Sequence, residues 1–353
     1  MIYLIQLQII IIALLVTIAC VIPGNFLVLR GVALMSDAIS HAILPGIVIM
    51  FLCVGTLNSP LLIIGASLAG LLTVITTEAL MQTQCIKKDT ALGLVYPFFF
   101  SIGVLLISAC ARNVHLDTDM VLLGELAFAP FNRLICFGYD IGPVALWTMI
   151  IIIISNASCA WLFYKELIIS TFDPILAHMQ HIRPSYLYYG LMMLTAITTV
   201  AAFDAVGSIV VVALMICPPA IAYVLCNSIH QMIWLSLSIG CYATLIGYIG
   251  AWYADVSIAG SIATAQGLVL FIVILLAPQQ GIIARMRINQ KLRTQHALDC
   301  IVLYLQEQPF KKVNIAYLSH QLRWSKNHAL TIIAHGVTQG KLMSDNDTLY
   351  LPN

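Results

Sequence analysis

Apolar stretches about as long as a membrane span recur through most of the chain. A helix needs roughly 20 consecutive apolar residues to cross the hydrocarbon core of a bilayer. We therefore predict eight or nine membrane helices, of which the first is the weakest, near residues 4–22, 32–54, 60–81, 91–110, 143–163, 186–202, 205–226, 231–251 and 258–279. This pattern is typical of an all-α polytopic membrane protein.

The pattern of apolar positions becomes that of a water-soluble domain after residue 285. Helical periodicity predicts amphipathic helices at residues 296–306, 313–322 and 325–339, and a short hairpin follows at residues 341–351. Three helices followed by a hairpin outline a winged helix-turn-helix. We thus predict two domains, a transmembrane domain and a winged-helix-like cytoplasmic tail, at residues 1–285 and 286–353.

The amino-acid composition excludes an ordinary soluble protein. Of the 353 residues, 61% are hydrophobic and 9% are charged, whereas a soluble globular domain has about 25% charged residues. The ten cysteines include no Cys-x-x-Cys pair, which argues against both a disulfide framework and a zinc-finger site.

Basic residues in short loops indicate how a membrane protein is oriented, because they stay on the cytoplasmic side. Arg285, Arg287 and Arg293 closely follow the last predicted span, which places the C-terminus in the cytoplasm. The loops that carry Lys87 and Lys165 fall on the same side when the spans are counted backwards. We expect a multi-pass protein of the bacterial cytoplasmic membrane, embedded in lipid.

Asp37 and His41 are ionisable residues inside a segment that is otherwise fit for lipid. Such residues are costly in the bilayer and often mark a transport pathway. Their spacing of four places them on one helix face, and a carboxylate with an imidazole suits Mn²⁺, Fe²⁺ or Zn²⁺. We include the flanking Ser36 and Ser40 in the predicted path. The alternative is that the pair braces the helix bundle.

Pro45 and Gly46 follow this pair closely, and we predict a helix kink there because proline removes a backbone donor. Two protein ligands suit a site that an ion must leave again better than a full cage would.

The segment from Asp37 to Ala42, with Leu44-Pro45-Gly46 behind it, resembles the signature of the zinc, manganese and iron permeases of bacterial ABC transporters. Further segments at residues 88–93, 172–180 and 206–220 resemble that family in the same order. The resemblance covers roughly residues 1–285. This chain departs from the family at Gly31, where a second basic residue is common, at Ser36, where glycine is usual, and in its tail.

The resemblance implies a permease that imports a divalent metal ion as substrate and binds no permanent cofactor. It also implies a second permease copy or homologue, cytoplasmic ATPase subunits and a periplasmic or extracellular metal-binding protein as partners. No Gly-x-x-x-x-Gly-Lys-Ser/Thr motif occurs in the chain. We therefore expect a transport subunit rather than an enzyme, with ATP hydrolysis on a separate polypeptide. The sequence does not choose between manganese, iron and zinc.

The resemblance also assigns a role to the loop that begins at Phe172, where the family contacts its ATPase. Asp173 and Pro174 are well suited to begin a short helix, as its N-cap and first-turn residues. The residues predicted to couple this chain to the ATPase are Phe172, Asp173, Pro174, Ala177, Gln180 and, in the earlier loop, Asp89. The alternative is an ordinary solvated turn.

The tail offers Lys326, Asn327 and His328 at the start of the helix that would read DNA in a winged helix. Nine Lys and Arg against four Asp and Glu give residues 283–353 a net charge of +5. We favour a docking face for a cytoplasmic partner over nucleic-acid contact, which stays possible. Two rival functions remain: a membrane-tethered, metal-responsive DNA-binding regulator and a secondary transporter that works without ATP.

Overall fold

A computed structural model of the chain describes most of its residues, in ranges separated by gaps. The described ranges are 2–55, 61–84, 86–110, 126–136, 139–278, 281–307, 312–314, 317–318, 321, 324, 326–338, 340–345 and 348–350. They divide into two compact units, Met1–Ile274 and Leu275–Asn353, which we call the membrane unit and the tail unit.

The membrane unit is built almost entirely from helices. In chain order they are α1 (Ile2–Leu29), α2 (Leu34–Ala42), α3 (Leu44–Val54), α4 (Leu61–Gln82), α5 (Lys88–Cys110), α6 (Val144–Leu162), α7 (Tyr164–Phe172), α8 (Pro174–Met179), α9 (Pro184–Val206), α10 (Ser208–Leu225), α11 (Ile229–Ala254) and α12 (Ile258–Leu276). A short antiparallel hairpin, β1 (Arg133–Cys136) and β2 (Tyr139–Pro143), precedes α6.

Nine helical stretches among the described residues are long and apolar enough to cross a membrane, with α2 and α3 together forming one of them. The predicted all-α polytopic architecture is thereby confirmed. Most helices begin and end within a few residues of the predicted spans. A predicted span is too long where apolar loop residues follow the helix, and too short where the end of the helix is polar.

Helix α1, expected to be the weakest span, lies at the centre of the membrane unit. It packs against α6, α9, α10 and α11, and its residues Ile12, Val16 and Cys20 are fully buried. It also continues seven residues beyond the predicted end. Pro23 lies inside it, and proline is tolerated within membrane helices because neighbouring groups satisfy the freed carbonyl.

Polar side chains join the helices across the membrane interior. Thr17 of α1 shares a 2.9 Å hydrogen bond with Thr244 of α11, and Asn25 donates to Ser236 over 2.9 Å. Asn156 of α6 donates to Thr198 of α9 over 2.8 Å. Such bonds are each worth about 0.6 kcal/mol in membranes, so they specify which helices pair more than they stabilise the bundle.

Two glycines let α3 and α4 approach each other closely. A methyl group at Gly46 would overlap the carbonyl oxygen of Gly65 and lie 2.7 Å from the Cβ atom of Ala69. Small residues at helix contacts provide such close packing in membranes, where the hydrophobic effect does not drive helices together. This contact fixes α3, and with it the helix pair that carries Asp37 and His41.

The described part of the tail unit contains the helices α13 (Ile282–Glu307) and α14 (Lys326–Thr338), helical residues at 317, 318 and 321 within the predicted second helix, and a small sheet. Its strands β3 (Lys312–Asn314), β4 (Met343–Asp345) and β5 (Thr348–Tyr350) are antiparallel in the order β3-β5-β4. Its apolar core consists of Leu298, Ile301, Leu305, Val313, Leu318, Ile332, Ile333, Leu342 and Leu349.

Two sequence predictions for the tail differ from the structure. Helix α13 begins at Ile282, well before the predicted residue 296, because its basic first half has helix-forming residues without an apolar stripe. Val313 lies in a strand and pairs with Leu349 rather than starting a helix. Its β-branched side chain suits that position. The third predicted helix and the hairpin match α14 and the β4–β5 pair, and the winged-helix interpretation stays a prediction.

Replacing Gly46 with alanine should destabilise the membrane unit, because the added methyl group meets the backbone of α4, which cannot rotate away. Overpacking of this kind costs about 1–3 kcal/mol. Thermal unfolding of the purified protein in detergent should therefore show a lower midpoint for Gly46→Ala than for the wild type.

Gly267→Ala is the matched control, because a methyl group at Gly267 of α12 meets nothing within 4 Å. Its midpoint should stay unchanged or rise slightly, since alanine favours a helix by up to about 1 kcal/mol over glycine. Equal midpoints for Gly46→Ala and the wild type would mean that α3 and α4 are not held by this contact.

Candidate metal-translocation site

Asp37 and His41 lie one turn apart on α2, with their side chains on the same face. The Oδ1 atom of Asp37 is 3.6 Å from Nε2 of His41, and the two side chains are 45% and 39% exposed. Metal bonds to histidine nitrogen and carboxylate oxygen are about 2.1 Å long. A single ion could therefore bind both atoms at an angle of about 120°, without a change in their separation.

The opposite face of α2 is buried and holds the helix in place. Met35, Ile39 and Ala42 are fully buried there. Ser36 and Ser40 are buried as well, and their hydroxyls donate to the backbone carbonyls of Ala33 and Asp37. The structure thus brings Asp37 and His41 together on an open face but turns both serine hydroxyls toward their own helix.

Tyr96 of α5 is a neighbour of this site that the sequence analysis missed. Its ring centroid lies 5.9 Å from that of His41, with the two planes tilted by 38°. A tyrosine inside a span resembles any other large apolar residue in the sequence. The following proline, Pro97, gives no further signal. Only the packing of α2 against α5 reveals that Tyr96 borders the site.

The helix that carries the pair is interrupted immediately after it. Ile43 separates α2 from α3, and Pro45 lies in the first turn of α3. Because proline has no N–H, Pro45 cannot donate to the carbonyl of His41, four residues earlier. The interruption therefore lies at Ile43, two residues before Pro45 and two after His41, rather than at Pro45 and Gly46 where the sequence predicted the kink. Gly46 follows in close contact with α4, as described above.

Among the residues that the structure describes, no three His, Cys, Asp or Glu side chains are grouped so that they could hold a metal ion. Asp37 and His41 are therefore a candidate pair of ligands without a third His, Cys, Asp or Glu grouped with them among the described residues. A carboxylate and one imidazole bind a divalent ion without enclosing it.

The predicted coupling segment forms a short helix, α8, with an N-cap. The Oδ1 atom of Asp173 accepts a 2.9 Å hydrogen bond from the backbone N–H of Leu176, and Pro174 occupies the first turn. Ala177 is fully buried, which anchors the helix to the membrane unit. Gln180 ends it, donating its N–H to the carbonyl of Leu176.

Apolar residues are exposed on α8 and at the end of α7. Ile175 and Met179 of α8 are 73% and 75% exposed, and Phe172, the last residue of α7, is 63% exposed. Exposed apolar residues in a cluster indicate an interaction surface more often than chance. The side chains of Asp89, Lys326, Asn327 and His328, which were predicted to contact partners, lie outside the part of the chain that the structure describes.

Comparisons with known proteins agree with this architecture. The model of the ABC 3 transport family matches residues 2–277. The zinc transport system membrane protein TroD of Treponema pallidum is 38% identical over 338 residues, covering 94% of this chain and 92% of TroD. The manganese transport system membrane protein MntD of Bacillus subtilis is 40% identical over 280 residues, covering 79% of this chain and 93% of MntD.

A solved structure is similar as well. PsaBC from Streptococcus pneumoniae, in complex with Fab, superimposes with a TM-score of 0.64 at 31% identity, covering 78% of this chain and 93% of the PsaBC chain. Since the alignment with TroD covers 94% of this chain, it includes most of the tail, which is therefore not an addition peculiar to this protein. The chain belongs to the ABC 3 transport family.

Proposed function

We propose that this chain is the membrane permease subunit of an ATP-driven importer of divalent transition-metal ions. Membership of the ABC 3 transport family, together with the half-exposed Asp37–His41 pair on a membrane helix, carries this proposal. TroD is named for zinc and MntD for manganese, so the substrate class is manganese, zinc or the chemically similar iron. The ion is cargo, bound on its way through, and no resident cofactor is needed.

The exposure of Asp37 and His41 argues that they face water or protein rather than lipid. A carboxylate turned toward hydrocarbon is strongly disfavoured, yet both side chains are open in this chain alone. A second permease copy, or a homologous permease, covers this face and leaves an aqueous path between the two α2 helices. Two weak ligands per permease allow the ion to bind and to leave again.

The energy source is a separate ATPase on the cytoplasmic side, and α8 is the part of this chain that contacts it. A capped helix with an exposed apolar face and one buried anchor residue can move as a unit when its partner moves. A metal-binding protein outside the membrane delivers the ion. The basic residues after α12 favour a C-terminus on the cytoplasmic side of a bacterial inner membrane.

The tail enters the proposal as a docking module for a cytoplasmic partner. Its inclusion in the alignment with TroD, a transport-system protein, favours a role within the transporter over one as a DNA-binding regulator. Retention of specific DNA by the full-length protein in detergent, abolished by substitution of Lys326, would reverse this preference.

Loss of either metal ligand should abolish uptake. In proteoliposomes that hold the complete complex and internal ATP, Asp37→Asn and His41→Gln should each lower the uptake of the preferred radioactive metal at least about tenfold, because removing one ligand from a two-ligand site removes about half of the bonds. Manganese, iron and zinc are tested in turn, and the preferred ion identifies the substrate.

Asp255→Asn and His230→Gln are matched controls, since they make the same chemical changes on exposed residues away from α2 and should leave uptake unchanged. Normal uptake by both α2 variants would show that the pair is a structural brace. Uptake that proceeds without ATP would instead identify a secondary transporter.

Removing the N-cap of α8 should uncouple transport from ATP hydrolysis. Asp173→Ala takes away the acceptor of the Leu176 N–H, which costs a helix about 1 kcal/mol. Hydrogen exchange in α8 should become faster, and the number of ions moved per ATP should fall. Asp173→Asn keeps a capping oxygen and should behave like the wild type. Faster exchange in Asp173→Ala with an unchanged ratio of metal to ATP would rule out α8 as the coupling helix.

A further inference from the structure

Arg30 lies at the cytoplasmic end of α1 and donates to two hydroxyls of α7. Its Nη2 atom is 2.7 Å from Oγ of Ser170, and its Nε atom is 3.0 Å from Oγ1 of Thr171. Both hydroxyls donate their own proton to the carbonyl of Leu167. A hydroxyl has one donor and two acceptor sites, so these bonds turn the oxygen lone pairs toward the guanidinium.

The same guanidinium contacts a third helix. Its Cζ atom lies 6.0 Å from the ring centroid of Tyr188 on α9, and Tyr188 interacts with the carboxylate of Glu78 on α4. Arg30, Ser170, Thr171, Tyr188 and Glu78, which we call the Arg30 cluster, therefore join α1, α4, α7 and α9. Burial lowers the pKa of the guanidinium, so the cluster holds this charge at a cost.

One end of the Arg30 cluster is continuous with the coupling helix. Thr171 precedes by two residues the Asp173 that caps α8, and only Phe172 separates them. A displacement of α8 therefore moves Thr171 and Ser170 almost directly, because α7 and α8 are joined without a flexible loop.

The other end is continuous with the helix that carries the metal ligands. Helix α1 ends in a Schellman motif, in which Val32 donates to the carbonyl of Leu27 over 2.9 Å and Gly31 to that of Val28 over 3.0 Å. Gly31 has φ +63°, which favours glycine. Helix α2 begins at Leu34. A displacement of Arg30 is therefore transmitted to α2 through the short turn between the two helices.

We propose that Arg30 is a positioning residue that transmits movement of α8 to α2, and so couples ATP hydrolysis to the access of metal to Asp37 and His41. This inference rests on the proposed function. Two bonds to adjacent hydroxyls and a stacked ring require the planar, forked donor set of arginine. Lysine carries its three donors on one ammonium nitrogen and lacks the planar fork, so it cannot reproduce the separate Nε and Nη2 contacts of Arg30.

A coupling role differs from a bracing role in what it does to the ratio of metal moved to ATP hydrolysed. A brace that is lost lowers stability, uptake and ATPase activity together. When a coupling contact is lost, ATP hydrolysis continues, but the movement of Asp37 and His41 no longer accompanies it, so fewer ions are transported per ATP. The ratio is therefore the decisive readout, with the thermal midpoint measured alongside.

The test uses the complete complex with its ATPase and metal-binding protein, reconstituted in liposomes. Arg30→Lys and the double variant Ser170→Ala/Thr171→Val should lower the ratio of metal to ATP at least about fivefold, with ATPase rates within about twofold of the wild type. Adding the hydroxyl changes to Arg30→Lys should cause no further loss, because residues that act through one contact are not additive. Thr171→Ser keeps the acceptor and should retain the wild-type ratio.

Arg183→Lys is the matched control, since it makes the same change at Arg183, which directly precedes α9 and contacts the exposed Tyr186 by a hydrogen bond and a cation–π contact. It should leave the ratio unchanged. Uptake and ATPase activity that fall in parallel, or a ratio that stays at the wild-type value in Arg30→Lys, would overturn the inference.

Asp37→Asn, measured in the same liposomes, separates this result from failure of the proposed function. If the wild type shows no ATP-driven uptake, the proposed function fails. If the wild type transports, Asp37→Asn does not, and the Arg30 variants keep the wild-type ratio, only the role of Arg30 is wrong.

Discussion

Hydrocarbon offers no partner to a polar group, so every N–H, carbonyl and hydroxyl in the membrane unit needs a partner within the protein. Most hydroxyls meet this demand locally. Thr73, Thr77, Thr195 and Thr199 each donate to the carbonyl four residues earlier. The amide of Asn156 meets it by reaching Thr198 on another helix. Asp37 and His41 differ from these groups, because both are ionisable and both lie on an open face, 3.6 Å from each other.

The same constraint explains why the interruption between α2 and α3 is tolerated where it is. A broken helix leaves backbone groups without their usual partners, and it persists in membrane proteins where protein surrounds it or where it borders a cavity. Close packing of Gly46 against α4 supplies the first condition on one side. Asp37 and His41 lie on the open face of α2 just before the break, so the break and this candidate pair belong to one local arrangement.

Runs of apolar residues were enough to predict the membrane helices, because the bilayer permits little else. They were not enough to rank them. Helix α1 was expected to be the weakest span but packs against four other membrane helices, since apolar residues facing lipid and apolar residues facing protein look the same in the sequence. In the tail, Val313 fits a helix or a strand by pattern alone, and only its pairing with Leu349 decides.

Some residues of the candidate site were predictable from the sequence, and others are revealed only by the fold. Asp37 and His41 could be predicted because their spacing and their cost in lipid are both visible in the sequence. Tyr96 and the hydroxyl partners of Arg30 could not, because they come from helices distant in the chain, with Thr171 lying 141 positions after Arg30. The sequence thus suggests candidate metal ligands, whereas the fold adds the contacts through which we propose that they move.

A metal importer must bind its ion loosely and yet hold it only when its energy source permits, and these two demands favour different structures. Loose binding favours few ligands on an open face, as on α2. Control favours a stiff connection between that face and the ATPase contact. A helix of nine residues, set between a Schellman turn at Gly31 and a break at Ile43, suits both demands of the proposed importer, because one face is open while the other is packed against the helices that connect it to the Arg30 cluster.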